Sequence, residues 1–170
     1  MNRRDFFRRV SGQKRVMRPP GAGEELSFFQ KCNGCAECVS ACPQYIIQMD
    51  GQNRPVVSVL KAGCTFCGRC AEVCTPGALA INDSDQPGWN WRAKVAANCL
   101  DKHGIVCRAC ESVCEENAIR FRPLLAGKCD VSISIEACNG CGACVSVCPS
   151  KAIGMVWAET DLIKMKETAA

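Results

Sequence analysis

Large apolar side chains are scarce in this sequence. Leu, Ile, Val and Phe together number 36 of 170 residues, with three Trp and one Tyr. That is close to the level of about 20% below which chains tend toward disorder, so packing of such side chains alone is too thin to hold the protein together. No run of about 18 apolar residues occurs, which excludes a transmembrane helix and stable membrane insertion. Catalytic constellations are missing too. There is one histidine, no Ser-His-Asp set, no glycine-rich phosphate loop and no outstanding pair of acid and base, so a chain that is not an enzyme is expected. Nor does the formal charge of +4 support nucleic-acid binding. The first 20 residues hold seven basic groups (Arg3, Arg4, Arg8, Arg9, Lys14, Arg15, Arg18) against Asp5, and the remainder sums to −2, leaving no basic footprint on the body.

What is abundant is cysteine, 17 in all. At this density a disulfide framework is one reading, but the spacing opposes it. Cys32, Cys35, Cys38 and Cys42, then Cys64, Cys67, Cys70 and Cys74, and finally Cys138, Cys141, Cys144 and Cys148 each read C-x2-C-x2-C-x3-C. In this iron-sulfur run three thiolates wrap one 4Fe-4S cube and the fourth reaches a second cube. Zinc also uses C-x2-C pairs, but separates two such pairs by a long loop. The glycines inside the runs, Gly34, Gly68, Gly140 and Gly142, allow backbone N–H groups to approach cluster sulfurs, although ordinary turns would use them equally well.

The remaining run, Cys99, Cys107, Cys110 and Cys114, is widened to C-x7-C-x2-C-x3-C. His103 lies within the widened loop and could substitute for Cys99, since imidazole ligates some clusters; thiolate is the usual choice, and a solvated loop histidine is the simpler reading. Pro43 and Pro149 follow the fourth cysteine in the first and last runs, Thr75-Pro76 stands in the second, and the third has Glu115-Glu116. Cys129 fits no run and reads as a small buried or half-exposed residue.

Four runs make two pairs, because a fourth cysteine that serves a neighbouring cube leaves a lone run incomplete. Pairing the first with the second predicts Cys32, Cys35, Cys38 and Cys74 around one cluster and Cys64, Cys67, Cys70 and Cys42 around another. Pairing the third with the fourth predicts Cys99, Cys107, Cys110 and Cys148, and Cys138, Cys141, Cys144 and Cys114. Spacing alone leaves ligand exchange between the modules open. Short apolar stretches follow each run (Ile46-Ile47, Ala78 to Ile81, Ala118 to Phe121, Ala152 to Trp157), and Val56 to Val59 and Val131 to Ile135 precede the second and fourth; such segments suggest hairpins.

The expected fold is therefore α+β, two tandem bacterial 2x(4Fe-4S) ferredoxin-like modules of short hairpins and short helices. The divisions are a basic N-terminal arm at 1–27, a module at 28–85, a linker at 86–98, a module at 99–158 and a tail at 159–170. The turn-rich stretch Asn82 to Gly88 marks the boundary. Trp89 and Trp91 just after it would either dock a partner or pack one module on the other. Asn2-Arg3-Arg4-Asp5-Phe6-Phe7-Arg8 looks like the start of a twin-arginine export signal, but charges run through residues 9–18 where an apolar region is needed. The segment is expected to stay on the protein, as a recognition arm or as a solubilising tail.

The four runs, the arginine-rich start ending in Arg18-Pro19-Pro20, the widened Cys99-x7-Cys107-Arg108-Ala109-Cys110 run, Phe121-Arg122-Pro123 and Cys138-Asn139-Gly140-Cys141-Gly142-Ala143-Cys144 together resemble the NapF family, ferredoxin-type proteins of the periplasmic nitrate reductase system. The runs singly are generic to bacterial ferredoxins; the widened run and the start make the combination specific. The resemblance implies a cytoplasmic iron-sulfur protein with four 4Fe-4S clusters that interacts with the unexported catalytic molybdoenzyme subunit of periplasmic nitrate reductase and assists its maturation, that of its iron-sulfur centre. The sixteen matched cysteines carry over as ligands, and Cys129 does not. The alternatives are an electron-transfer polyferredoxin linking a donor to an oxidoreductase, and a zinc-stabilised interaction protein. With sixteen thiolates and about +2 for each oxidised cube, the chain has a charge of about −4, and the part beyond residue 20 about −10.

Overall fold

The computed structural model describes residues 15–80 and 89–158. The expectations for residues 1–14, the Asn82–Gly88 turn and the 159–170 tail fall outside the described residues. In chain order the elements are α1 (Glu25–Lys31), α2 (Glu37–Ala41), β1 (Ile47–Met49), β2 (Pro55–Val57), α3 (Arg69–Glu72), β3 (Trp91–Val95), α4 (Ala109–Ser112), β4 (Ile119–Pro123), β5 (Cys129–Ile133), α5 (Ala143–Ser146) and β6 (Ile153–Trp157). Short helices alternating with short strands make this a small mixed α and β architecture.

Among the described residues the strands form three two-stranded antiparallel sheets, β1 with β2, β3 with β6, and β4 with β5. The first hairpin turns at Asp50, whose Oδ1 accepts the N–H groups of Gln52 and Arg54, both at 2.9 Å, the side-chain capping for which aspartate favours turns. In β4–β5, Ile119 faces Ile133 and Phe121 faces Val131, so the apolar members of each alternating stretch meet on one face.

The segment read as a linker at 86–98 contains a strand. β3 pairs along its whole length with β6, from Trp91 opposite Trp157 to Val95 opposite Ile153, and further backbone bonds extend the ladder at both ends, Ala96 N–H to Ala152 O (2.7 Å) and Ala158 N–H to Asn90 O (2.8 Å). Its side chains alternate, with Trp91 and Ala93 buried. A three-residue apolar repeat is a weak period-2 signal, and the partner strand is some sixty residues away in sequence, so the pairing had no local mark. Conversely, the stretch from Ala78 forms no strand among the described residues; one bond, Ala80 N–H to Gly21 O at 2.9 Å, takes the place of a ladder.

Residues 15–27, expected within a basic arm, fold onto the first module. Met17 O accepts the Val57 N–H at 2.6 Å. The Arg18 side chain, 7% exposed, reaches Glu25 at 2.9 Å, Asp50 at 2.9 Å and the Pro55 carbonyl at 3.0 Å, with its guanidinium 5.3 Å and 5.1 Å from the rings of Phe28 and Phe29. The planar fork of arginine satisfies several acceptors at once while stacking on aromatic faces. A residue counted as tail charge is thus a clamp between α1, the first hairpin turn and β2.

Two apolar clusters result. One gathers Phe28, Ile46, Ile47, Val57, Val59 and Leu79 with Trp89 and Trp91; the other gathers Ala93, Ile119, Val131 and Ile153. Trp89 is 6% exposed, stacks edge-on against Phe66 at 5.9 Å, and donates its indole N–H to Gly140 O at 2.9 Å. Trp91 meets Trp157 edge-on at 5.5 Å. Both tryptophans therefore pack the two modules together and offer no exposed patch to a partner.

Removing the Arg18 clamp leaves two carboxylates facing each other's field. Breaking a buried pair costs about 3–5 kcal/mol; because Glu25 and Asp50 are partly exposed, Arg18→Met should lower unfolding free energy by about 2 kcal/mol, read from the denaturant midpoint. Burial alone would raise the Asp50 carboxyl, but hydrogen bonds from Arg18 and from the Arg54 and Gln52 N–H groups outweigh it and hold the carboxyl below the ordinary aspartate value. The stability this supplies is present above that ordinary value and is lost as pH falls through the lowered one. Asp50→Asn should flatten this acid limb, and an unchanged limb would contradict the assignment.

Candidate metal centres

The four cysteine runs share one backbone trace. In each, the residue after the second cysteine is left-handed (Ala36 φ 65°, Gly68 φ 77°, Arg108 φ 50°, Gly142 φ 81°). It opens a short helix carrying the third cysteine: Cys38 on α2, Cys70 on α3, Cys110 on α4 and Cys144 on α5. Three residues after the fourth cysteine the chain is left-handed again, at Tyr45, Gly77, Asn117 and Lys151. Their N–H groups donate to the carbonyls of Cys42, Cys74, Cys114 and Cys148 at 3.1, 2.9, 3.1 and 3.2 Å. Buried pairs follow, Ile46-Ile47, Ala78-Leu79, Ala118-Ile119 and Ala152-Ile153. A left-handed residue other than glycine costs on the order of 1–3 kcal/mol and persists where its surroundings over-determine it. Such strain at Ala36, Arg108, Tyr45, Asn117 and Lys151, at equivalent positions of the runs, marks the cysteine loops as the functional part of the chain.

Between the first and second cysteines the runs divide. Asn33 Oδ1 accepts the Cys35 N–H at 3.1 Å and Asn139 Oδ1 the Cys141 N–H at 3.0 Å, each before a left-handed glycine. Gly140 has no alternative, since a Cβ there would collide with the Trp91 carbonyl. The widened run has Ile105-Val106 at this place, and Val106 is not left-handed. Asp101, 3% exposed in the turn Asp101–His103, supplies the missing acceptor: its Oδ2 takes the N–H groups of Cys107 at 3.1 Å and Arg108 at 3.2 Å. The sequence signal was the C-x7-C insertion itself, which is long enough to carry its own capping carboxylate. His103 is exposed and its Nε2 lies 3.0 Å from Ala97 O. Cys129 is half-buried at the start of β5, opposite Pro123.

The thiols gather in crossed sets. Cys32, Cys35, Cys38 and Cys74 line one small cavity, with Phe28 and Leu79 among its walls. Cys42, Cys64, Cys67 and Cys70 line a second, of about 180 Å³, closed by Ile46, Ile47, Val57 and Phe66. In the other half Cys110 has Cys99 and Cys148 as thiol neighbours, and Cys141 and Cys144 have Cys138 and Cys114; Cys107 precedes α4 on the same loop as Cys110. These are referred to below as the first to fourth thiol groups, the third being that of Cys99, Cys107, Cys110 and Cys148. Cys38, Cys42, Cys70 and Cys144 are buried, and Cys35 and Cys67 are exposed.

Burial pushes the thiols up, and neighbouring thiols push the same way: Cys38, Cys64 and Cys110 to about 11, Cys70 and Cys144 to about 12. These enclosed thiols keep their protons at neutral pH in the bare protein. A cationic core reverses this balance, because coordinated thiols lose their protons. Backbone N–H groups already point at the sulfurs. Phe66 N–H lies 3.4 Å from Cys64 Sγ, Leu79 N–H 3.3 Å from Cys74 Sγ, Ala118 N–H 3.3 Å from Cys114 Sγ and Ala152 N–H 3.2 Å from Cys148 Sγ. Such donors stabilise ionised sulfur and tune an iron-sulfur group. A single zinc needs its thiolates about 2.3 Å from one point. Thiols ranged about a cavity suit a larger inorganic core.

Paired cysteine loops on short hairpins and helices, repeated twice, define a ferredoxin-type iron-sulfur protein. The 4Fe-4S dicluster domain family matches residues 31–78 and 105–152, the second span beginning after Cys99. The chain is 36% identical to the ferredoxin-type protein NapF of Escherichia coli K12 over 137 residues, 81% of this chain and 82% of that one, and 37% identical to NapF of Haemophilus influenzae over 139 residues, 82% and 78% of the two chains. It is 32% identical to the ferredoxin-type protein NapG of Escherichia coli K12. The chain belongs to the NapF family of ferredoxin-type proteins.

Asp101 is the site residue most open to a direct test. Asp101→Ala leaves two part-buried N–H groups without their acceptor, at up to about 1 kcal/mol each. The Cys107 loop should loosen and iron should be lost on chelation faster than from wild type, with Asp101→Asn intermediate. Equal iron retention in all three proteins would refute the capping role.

Proposed function

We propose that this protein holds four 4Fe-4S clusters, one in each thiol group. Cys32, Cys35, Cys38 and Cys74 ligate the first, and Cys42, Cys64, Cys67 and Cys70 the second. Cys99, Cys107, Cys110 and Cys148 ligate the third, and Cys114, Cys138, Cys141 and Cys144 the fourth. The observation carrying this reading is the crossed gathering, with Cys74 beside Cys38 and Cys42 beside Cys64 and Cys70. The clusters supply one-electron transfer. The protein's own part is to supply thiolates, direct N–H groups at sulfur and exclude water with Phe28, Phe66, Leu79 and the aliphatic residues around them.

As a member of the NapF family it acts in the cytoplasm on the unexported catalytic subunit of periplasmic nitrate reductase and assists maturation of that subunit's iron-sulfur centre. A protein partner is supported by an exposed apolar patch beside the third group. Ile105 (56%), Val106 (81%), Leu124 (57%) and Leu125 (92%) are exposed on two loops that approach at Gly104 and Gly127; clustered aliphatics of this kind mark interaction surfaces. Among the described residues no helix is long and apolar enough to cross a membrane. The second reading, an electron-carrying polyferredoxin, is favoured by the likeness to NapG and to the methylamine utilization ferredoxin-type protein MauM of Methylorubrum extorquens, 30% identical over 155 residues.

Pull-down of the tagged full chain separates the two. Recovery of an unprocessed molybdoenzyme subunit from cytoplasm supports maturation, and recovery of a soluble oxidoreductase alone supports the carrier. Leu125→Asp should weaken capture about tenfold, as for a modest interface anchor, with iron content unchanged; deletion of residues 2–14 tests the amino-terminal segment in the same assay. Cys74→Ser should damage the cluster held by Cys32, Cys35 and Cys38 and spare that held by Cys70. Loss confined to the Cys70 cluster would refute the crossed ligation.

A further inference from the structure

The modules touch through their cysteine loops. Cys64 N–H donates to Cys141 O at 2.7 Å, so the first cysteine of the second run and the second cysteine of the fourth run are joined backbone to backbone. The approach is as close as main chains allow. A Cβ on Gly63 would lie 2.8 Å from the Ala143 backbone nitrogen and 2.9 Å from its Cα, and a Cβ on Gly142 would lie 2.5 Å from Val59 Cγ1. The Trp89 indole closes the contact by bonding Gly140 O at 2.9 Å while stacking on Phe66. Each of these residues sits in or beside the second or fourth run; none belongs to the first or third.

The thiols carry the same adjacency. Cys141 is a charge neighbour of Cys64, Cys38 of Cys70 and Cys110 of Cys144.

We infer that electrons cross between the modules only from the second site to the fourth, so that the four sites form a line in the spatial order first, second, fourth, third. The inference rests on the four-cluster reading above. Each step is a one-electron exchange in which one cluster is oxidised and its neighbour reduced, with no atom transferred. Chain order would have placed the inter-module step between the second site and the third. In this line the first and third sites are the termini, and the third carries the exposed Ile105, Val106, Leu124 and Leu125 beside it. The terminal site nearest a docking patch is where a partner exchanges electrons with the chain. Gly63 and Trp89 are positioning residues: neither lines the two thiol cavities of the first module, and both would set the spacing of two sites through the inter-module contact.

The test is electron paramagnetic resonance of anaerobically purified full-length protein reduced with dithionite. Cys138→Ala removes the fourth cluster and should leave the third magnetically isolated, visible as a narrow signal free of spin–spin broadening. Cys107→Ala removes the third and should leave the fourth still broadened by the second, with no narrow signal. The reverse pattern, or the same pattern in both variants, overturns the order. Gly63→Leu should keep its iron and lose the inter-module broadening. Retention of full iron and full broadening in Gly63→Leu also overturns it, and if that variant fails to hold iron, the two ligand variants decide alone. Wild-type protein lacking 4Fe-4S signals altogether would remove the four-cluster reading itself. Four clusters with the wrong one isolated would remove only the order.

Discussion

The crossing of the fourth cysteine is the constraint on which the rest of this structure depends. A run of the C-x2-C-x2-C-x3-C form folds three thiols around one point and sends the fourth away along the chain, past a one-turn helix, to a neighbour. Cys74 lies with the first run's thiols and Cys42 with the second's. Neither run closes its cavity alone. The hairpin β1–β2 lies between the first two runs and β4–β5 between the last two, bringing paired runs face to face. The repeated left-handed positions follow from the same demand, because only that backbone turns each loop tightly enough to aim several sulfurs inward.

The thin apolar core fits this plan. The buried side chains that do exist are placed beside cysteine loops: Ile46 and Ile47 after Cys42, Leu79 after Cys74, Ile119 after Cys114, Ile153 after Cys148. Ile46 and Ile47 wall the second cavity and Leu79 the first, while Ile47, Ile119 and Ile153 open β1, β4 and β6. Burying one such aliphatic residue contributes about 1.5–3 kcal/mol, a modest sum over so few. The clamp at Arg18 and the indole bond of Trp89 add polar contacts where apolar area runs out. An inorganic core in each thiol group would supply the rest, since metal-binding energy in such small domains is folding energy.

The chemistry was legible in the sequence and much of its placement was not. Four cysteine runs and the apolar residues behind each fourth cysteine follow from spacing, because ligand geometry is local, whereas spacing left the pairing of the runs open. Three features escape that logic. β3 pairs with β6 across some sixty residues, and strand pairing at that range has no local signature. Arg18 looks like one charge in a basic tail until Glu25, Asp50 and Pro55 are folded around it. Asp101 looks like a loop residue until the loss of the Asn-Gly turn in the third run leaves the N–H groups of Cys107 and Arg108 in need of an acceptor. Trp89 and Trp91 admitted two readings from sequence, and their burial at the module junction decides for packing.

The line of sites that results makes the protein more than two ferredoxin modules in series. Its junction is main chain against main chain, and its far end opens beside exposed aliphatic residues suited to a protein partner. The central claim is that cysteine here holds four cubes in crossed sets. Iron, acid-labile sulfide and zinc measured together on protein purified without oxygen, with Mössbauer spectra to type the iron, address it most directly. The account predicts roughly sixteen iron and sixteen sulfide per chain, all in cubes of four, and no stoichiometric zinc. Zinc in place of iron, or about half that iron with free thiols in one module, would contradict it.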